Sequence, residues 1–406
     1  VFGWKPKSPE RVGAFNLEQM KTELMKRCIR LTIVIAASAG FLQACQKDEF
    51  NGPTTGGISE TNQVVNLRNY EVLTMNVGAL LAEVRSRRTG AIDIRVNGST
   101  TRDLEVMVKP AEPDAELYVD DVQQPMPEIF TLTGFRRGTS EPCIITVADG
   151  WFSGVFKENG EEFFIQARGD FDPSASDDQF VIYRAQDVID PGPTACGSDN
   201  LHTMAPDTHG HDEQSGRSTC KKVKMTVVAD PQFRAPYSSN ALCLAAMTAQ
   251  INNASYCYWN NSTLLLDLTV SKNYIYTSSS SLTSTTASTL LDQFSAWGNA
   301  SSARPSTINF LFTRKDLAGD TVGIAWTGVA CYAPSYSYAV GEKMSTSVYW
   351  RNLIAHETGH LFDAPHHTSG IMQSMVTTSN TFSSSSKSTI QSFTNANNCY
   401  TTGTCN

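Results

Sequence analysis

His356-Glu357-Thr358-Gly359-His360-Leu361-Phe362-Asp363-Ala364-Pro365-His366-His367-Thr368-Ser369-Gly370-Ile371-Met372 holds four of the seven histidines in this chain of 406 residues. His356 and His360 stand four residues apart, so on a helix they share one face. Glu357 lies beside them. Two imidazoles at this spacing hold a zinc ion, and the adjacent carboxylate is placed to act as general base on a water. His366 follows six residues after His360. It supplies a third ligand and leaves the fourth position open, as a catalytic zinc requires. A solvated surface helix is the plainer reading of these histidines, but it gives no reason for the spacing of the third.

The stretch resembles the metzincin signature, H-E-x-x-H-x-x-G-x-x-H followed by a methionine turn. One position departs from it. The family's glycine between the second and third histidines is Asp363. The chain must turn sharply there to bring His366 back, a turn that glycine makes freely and aspartate tolerates. The resemblance makes Met372 the methionine of the turn, with Met375 as the fallback. Neighbouring His367 competes with His366 as third ligand.

Upstream, the pattern alternates strands with helices. Val223-Lys224-Met225-Thr226-Val227-Val228-Ala229 reads as a strand, 238–252 as a helix, 264–270 as a strand, 284–297 as a second amphipathic helix and 307–312 as another strand. The helix carrying the histidines begins near Ser347. Such alternation predicts an α/β sheet domain over 220–406. The segment also resembles the adamalysin (reprolysin) proteases. Lys222 to Asp230 is similar to their first strand. Leu311-Phe312-Thr313-Arg314-Lys315-Asp316-Leu317 and Thr321-Val322-Gly323-Ile324-Ala325-Trp326-Thr327-Gly328-Val329-Ala330-Cys331 are similar to the run before their zinc helix. Phe382, Ser383, Ile390, Phe393 and Cys399 are similar to their closing helix and cysteine.

This resemblance implies a twisted mixed sheet with helices, a zinc helix and a methionine turn. It makes Gly323, Ile324, Ala325 and Trp326 the edge strand on which an extended substrate lies, gaining main-chain hydrogen bonds. Trp326 reads equally well as plain core. Met375 and Val376 would line the primed-side pocket. Many adamalysins bind calcium through an acid on the first strand, where this chain has Lys224. No calcium is therefore expected at that site, and Lys224 is free to pair with Asp316. Six cysteines in the segment allow fifteen pairings. The resemblance joins Cys331 to Cys399 or Cys405. Cys243 with Cys257 is the short loop we expect.

Between residues 64 and 195 the pattern is mostly short alternating runs. Examples are Ile92-Asp93-Ile94-Arg95-Val96, Leu104-Glu105-Val106-Met107-Val108, Ile144-Ile145-Thr146-Val147 and Phe163-Phe164-Ile165. Asn97-Gly98 and Asn159-Gly160 are hairpin turns between such runs, and 73–87 includes a helix. This is a β-rich domain with no visible chemistry of its own. Glu141-Pro142-Cys143, Asp149-Gly150-Trp151-Phe152-Ser153-Gly154, Phe163-Phe164-Ile165 and Phe180-Val181-Ile182-Tyr183-Arg184 fall in the order of the adamalysin pro-region and resemble it. Pro193-Thr194-Ala195-Cys196-Gly197 is similar to that family's cysteine switch, in which a thiolate fills the open zinc position. A disulfide from Cys196 to Cys143 is the other reading. Residues 196–219 form a polar, cleavable linker, with Arg217, Lys221 and Lys222 as trypsin-like processing points. Its histidines, His202, His209 and His211, read as solvated.

The N-terminal 44 residues look like upstream sequence and an export signal. Charged residues precede a short apolar run that ends in Leu42-Gln43-Ala44-Cys45. The run is too short to span a bilayer as a helix. The ending resembles the bacterial lipoprotein box, which makes Cys45 the lipidated residue and residues 45–63 a flexible tether. Ten cysteines suit an oxidising, exported setting, and a net charge of −8 argues against nucleic acid as partner.

The sequence thus points to an exported zinc endopeptidase, made latent and held at a bacterial outer membrane or cell surface, acting on extracellular proteins. His356, His360 and His366 are its ligands and Glu357 its base. A surface binding or adhesion module that keeps the fold without turnover is the alternative.

Overall fold

The computed structural model describes residues 66–189, 191, 192, 194–198 and 219–405. The signal, Cys45, the tether, and the linker histidines with Arg217 lie outside these residues.

The N-terminal segment builds an antiparallel sheet of eight strands in the order β1-β10-β9-β8-β7-β6-β3-β2. The strands are β1 (Glu71–Thr74), β2 (Ile92–Asn97), β3 (Thr101–Val108), β6 (Ile129–Arg136), β7 (Pro142–Ala148), β8 (Trp151–Glu158), β9 (Glu161–Ala167) and β10 (Gln179–Arg184). Strict alternation makes β2 an amphipathic strand: Ile92, Ile94 and Val96 are buried while Asp93, Arg95 and Asn97 face out. Helix α1 (Val77–Ser86) adds Leu80, Leu81 and Val84 to this core, and the Asn76 side chain caps it at the Ala79 amide. The predicted hairpins form. At the turn between β8 and β9, Asn159 and Gly160 both take positive φ, 54° and 81°, as a two-residue hairpin turn requires.

The C-terminal segment carries β12 (Cys220–Ala229), α2 (Pro231–Arg234), α3 (Asn240–Tyr256), β13 (Leu266–Ile275), α4 (Ala287–Asn299), β14 (Ile308–Thr313), β15 (Thr321–Ala325), β16 (Tyr338–Glu342), α5 (Ser347–Leu361), α6 (Ser384–Ala396) and β17 (Thr401–Gly403). Its sheet runs β11-β15-β16-β14-β12-β13-β4-β5, with β17 against the start of β12. Strands β13, β12, β14 and β16 are mutually parallel, and β15 returns antiparallel to β16. All six residues of β14 are buried, the continuous apolar reading of a parallel strand covered on both faces.

Three of the strands come from upstream. The hairpin β4 (Glu116–Val119) and β5 (Val122–Gln124) lies inside the range read as a separate β-domain, yet β4 pairs in parallel with β13. It covers what would otherwise be an open sheet edge. Strand β11 (Ala195–Cys196) pairs in parallel with β15. An alternating pattern identifies a strand but not the sheet it joins.

Helix α3 runs four residues beyond the predicted end at 252 and continues as a π turn over Cys257–Asn261. This corrects the expected Cys243–Cys257 disulfide. Both thiols are free and buried. They sit fourteen residues apart along one helix, about 21 Å by the helical rise, far beyond bridging reach. The disulfides are Cys331–Cys399 and Cys220–Cys405. Lys224 does not pair with Asp316. Lys224 lies one residue before Met225, which faces the start of β14, whereas Asp316 follows that strand's far end. Asp230 is the paired acid in this corner, bonded to Lys315 and capping the Phe233 amide.

Candidate metal centre

Every residue of α5 is buried. From the π turn, the Tyr258 hydroxyl bonds Ala355 O and Thr358 Oγ1, each at 2.8 Å, and fixes the middle of the helix. The helix then stops in two bonds. Asp363 N donates to His360 O and Ala364 N donates to Gly359 O, the paired pattern of a Schellman ending with Asp363 at the left-handed position. Asp363 has φ of 70°. The departure from glycine therefore keeps the turn, and the chain beyond it folds back under α5.

That return brings His366 to His356 and His360. Their Nε2 atoms lie 3.1, 3.2 and 3.3 Å apart. The opposite ring nitrogens of two of them face carbonyls: His356 Nδ1 to Ile371 O at 2.8 Å and His360 Nδ1 to Ala364 O at 2.7 Å. Donation from Nδ1 leaves each Nε2 as a lone pair aimed at the common centre. Burial first, then the neighbouring imidazoles, hold His360 well below its ordinary pKa, so it stays a neutral donor. His367 is not in this group; its amide donates to Met372 O. Met372 is fully buried against α5, with its Sδ 2.6 Å from where a Gly359 Cβ would stand. Met375 is 42% exposed and is bridged to Ala195 rather than packed under the histidines.

Cys196 supplies a fourth donor. Its Sγ is 3.5 Å from His360 Nε2, and the four donor atoms all fall within 4.8 Å of one another. A tetrahedral zinc spaces its nitrogens about 3.4 Å apart and a sulfur about 3.6 Å from a nitrogen. The donor set therefore fits a zinc ion in chemistry, and the three nitrogen spacings and the Cys196–His360 spacing are close to those a zinc ion sets. Burial pushes the Cys196 thiol well above its ordinary value, with Glu357 adding to the effect. A cation at the centre would reverse that and favour the thiolate.

Glu357 completes the site. Its Oε2 is 3.6 Å from Cys196 Sγ, while its Oε1 is buried without a hydrogen-bond partner. Burial pushes its pKa up to about 8, against the opposing hydrogen bonds of Cys196 and Ser198. Oε1 lies over Gly323, where an added Cβ would come within 2.5 Å.

Residues 194–198 form a strap across the site. Ala195 N donates to Asp320 O, Gly197 N to Gly323 O, Cys196 N to Ser374 O and Val376 N to Thr194 O. The strap thus lies between β15 and the segment after Met372, including the Met375 and Val376 named from sequence. Ser198 Oγ both donates to Ala325 O and accepts from Ala325 N, at 3.1 and 3.0 Å, and stands 3.2 Å from Cys196 Sγ. Trp326 follows β15 half-buried, stacked edge-on with Tyr336. Sequence reading missed Ser198 and the clearance role of Gly323. Both depend on contacts between distant segments, for which one sequence carries no signal.

Residues 219–404 match a reprolysin-type model of metallo-peptidase family M12. No curated protein matches the chain. Among solved structures, metalloproteinase-II from Bacteroides fragilis is similar over 77% of this chain and 93% of that one, with a TM-score of 0.50 at 12% identity. That likeness shows a shared fold. Over residues 219–404 the chain is thus similar to the reprolysin-type peptidases of metallo-peptidase family M12.

Proposed function

We propose that this chain is a zinc endopeptidase made as a latent, exported precursor, with His356, His360 and His366 as zinc ligands. The observation that carries the reading is the convergence of three imidazole nitrogens and the Cys196 sulfur within 4.8 Å of one another. Zinc, when bound, supplies Lewis-acid polarisation of the scissile carbonyl and acidifies the attacking water. Glu357 takes the water's proton at its carboxylate and passes it to the leaving nitrogen. Gly323, Ile324, Ala325 and Trp326 receive the substrate backbone where the strap now lies. Met372 is the apolar floor under the ligands.

Cys196 keeps the precursor latent, and an activating protease cuts in the linker at 199–218. Cys45 carries the lipid that holds the protein at a bacterial outer membrane or cell surface, where it meets extracellular protein substrates.

The test is a peptide-library assay on protein cut in the linker, with and without chelator, beside Glu357→Ala. Cleavage is expected to stop on chelation. In the variant it should fall by about 10²–10⁴-fold with zinc content unchanged. A folded, zinc-loaded, cut protein that cleaves nothing would instead point to a surface binding or adhesion module.

A further inference from the structure

We infer that residues 66–189 stay bound to the metallopeptidase domain as a permanent subunit after the linker is cut, and that only the strap 194–198 leaves the cleft. The inference rests on the latency reading for the strap but concerns a different surface.

Helix α3 is the first reason. Thirteen of its seventeen residues are buried, on all sides. A helix buried all round lies inside a structure rather than on its face. One side of α3 packs on β13 and another on α5. A third packs on β7 and β8 of the N-terminal sheet. There the Asn252 amide bonds Thr131 Oγ1 at 2.8 Å and Thr146 Oγ1 at 3.1 Å.

The charges are the second reason. Arg351, one turn before His356, is fully buried, and its partner is Glu162 of β9 at 2.6 Å. Asp267 of β13 is also fully buried and pairs with Lys109 at 2.8 Å. The N-terminal segment therefore supplies the counter-ion for two charges buried in the C-terminal one. Removing one partner of such a pair is costly.

The start of α5 is the third. Thr346, its N-cap, makes no capping bond with its own side chain. Instead Ser347 N donates to Gln166 Oε1 at 2.9 Å and to the Tyr183 hydroxyl at 3.0 Å. The N-terminal sheet thus caps the helix that carries the metal-site histidines. Accordingly Ile144, Val155, Phe164 and Tyr183 fall in the same apolar core as Leu244, Met247 and Leu353. From Asn62 to the C terminus the chain forms one compact unit.

The strap is held differently. It is five residues long and makes main-chain and hydroxyl bonds to 320–325 and 374–376. A cut beyond Ser198 turns it into a chain end that can peel away while the sheets remain packed.

The experiment is full-chain protein with a specific protease site placed after Ser215, cut to completion and run on size exclusion at micromolar and nanomolar concentration. Both fragments are expected in one peak, in equal amounts, separating only in denaturant. In Glu162→Gln, which leaves Arg351 without its anion, the released fraction at nanomolar concentration is expected to rise at least tenfold. Elution of 66–189 apart from a folded 219–405 fragment would overturn the inference. Peptide cleavage is read separately on the same fractions. Co-elution without cleavage leaves this inference standing and overturns the protease reading, while cleavage by separated fragments does the reverse.

Discussion

Asp363 occupies the one position where the histidine stretch must leave the helix in a left-handed turn. Its side chain tolerates φ near 70°, which a β-branched residue does not. Asp363→Val is expected to cost about 1–2 kcal/mol of stability and to weaken zinc binding, because His366 begins three residues later. Thermal melting and zinc titration check both. The residues of the candidate site were legible because their spacing is local: His356, Glu357 and His360 share a helical turn, and His366 follows by one known kind of turn. Gly323 and Ser198 were not. Gly323 matters because Glu357 Oε1, thirty-four positions on, needs the space above it. Ser198 matters because its hydroxyl meets both bonding groups of Ala325.

At the scale of elements, the strap meets α5 through the Cys196 sulfur and the Ser198 hydroxyl. If Cys196 is what closes the site, Cys196→Ser should give the uncut precursor at least tenfold more turnover, since a hydroxyl is a poorer zinc donor than a thiolate. Peptide hydrolysis by uncut protein, with Glu357→Ala as background, measures it. An unchanged rate would mean that the main-chain bonds of the strap suffice for latency. The elements themselves were largely readable. Helix α5 starts at Ser347 as its sequence predicts, and the parallel strands announce themselves as apolar runs. Helix α3 was read too short, because its end is set by packing. Tyr256, Cys257 and Tyr258 are buried among neighbours from both sheets, with no local stop signal.

Across the whole molecule, the N-terminal sheet is sensitive to acid. Burial pushes the Glu71 carboxyl up, but hydrogen bonds from Arg102, Ser99 and Thr100, with the Arg102 charge, outweigh it and hold it at about 2. Asp187 and Glu162 are likewise held below their ordinary values, burial being outweighed by Arg184 in one case and Arg351 in the other. A carboxylate with a lowered folded pKa contributes stability above its unfolded value. For Glu71 that contribution is full above about pH 4.5 and is lost as pH falls toward 2. The urea midpoint of the precursor should therefore drop between pH 5 and 3, and Glu71→Gln should flatten the curve. What could not be read at this scale was the mixing of the two segments. Hairpin β4–β5 looks like any other alternating pair, and only the open edge of β13 decides that it crosses over.

The Cys220–Cys405 disulfide, with β17 laid against Cys220–Lys222, gives a cut in the linker two unequal ends. On the downstream side the new terminus is riveted at Cys220, next to Thr219 where the described chain resumes. Cys220 itself, tied by the disulfide and by β17, stays at the sheet. On the upstream side, the strand ending at Ser198 is held only by bonds that water can replace. A cut therefore frees the outgoing strap, while the described domain keeps the ties that hold its first strand.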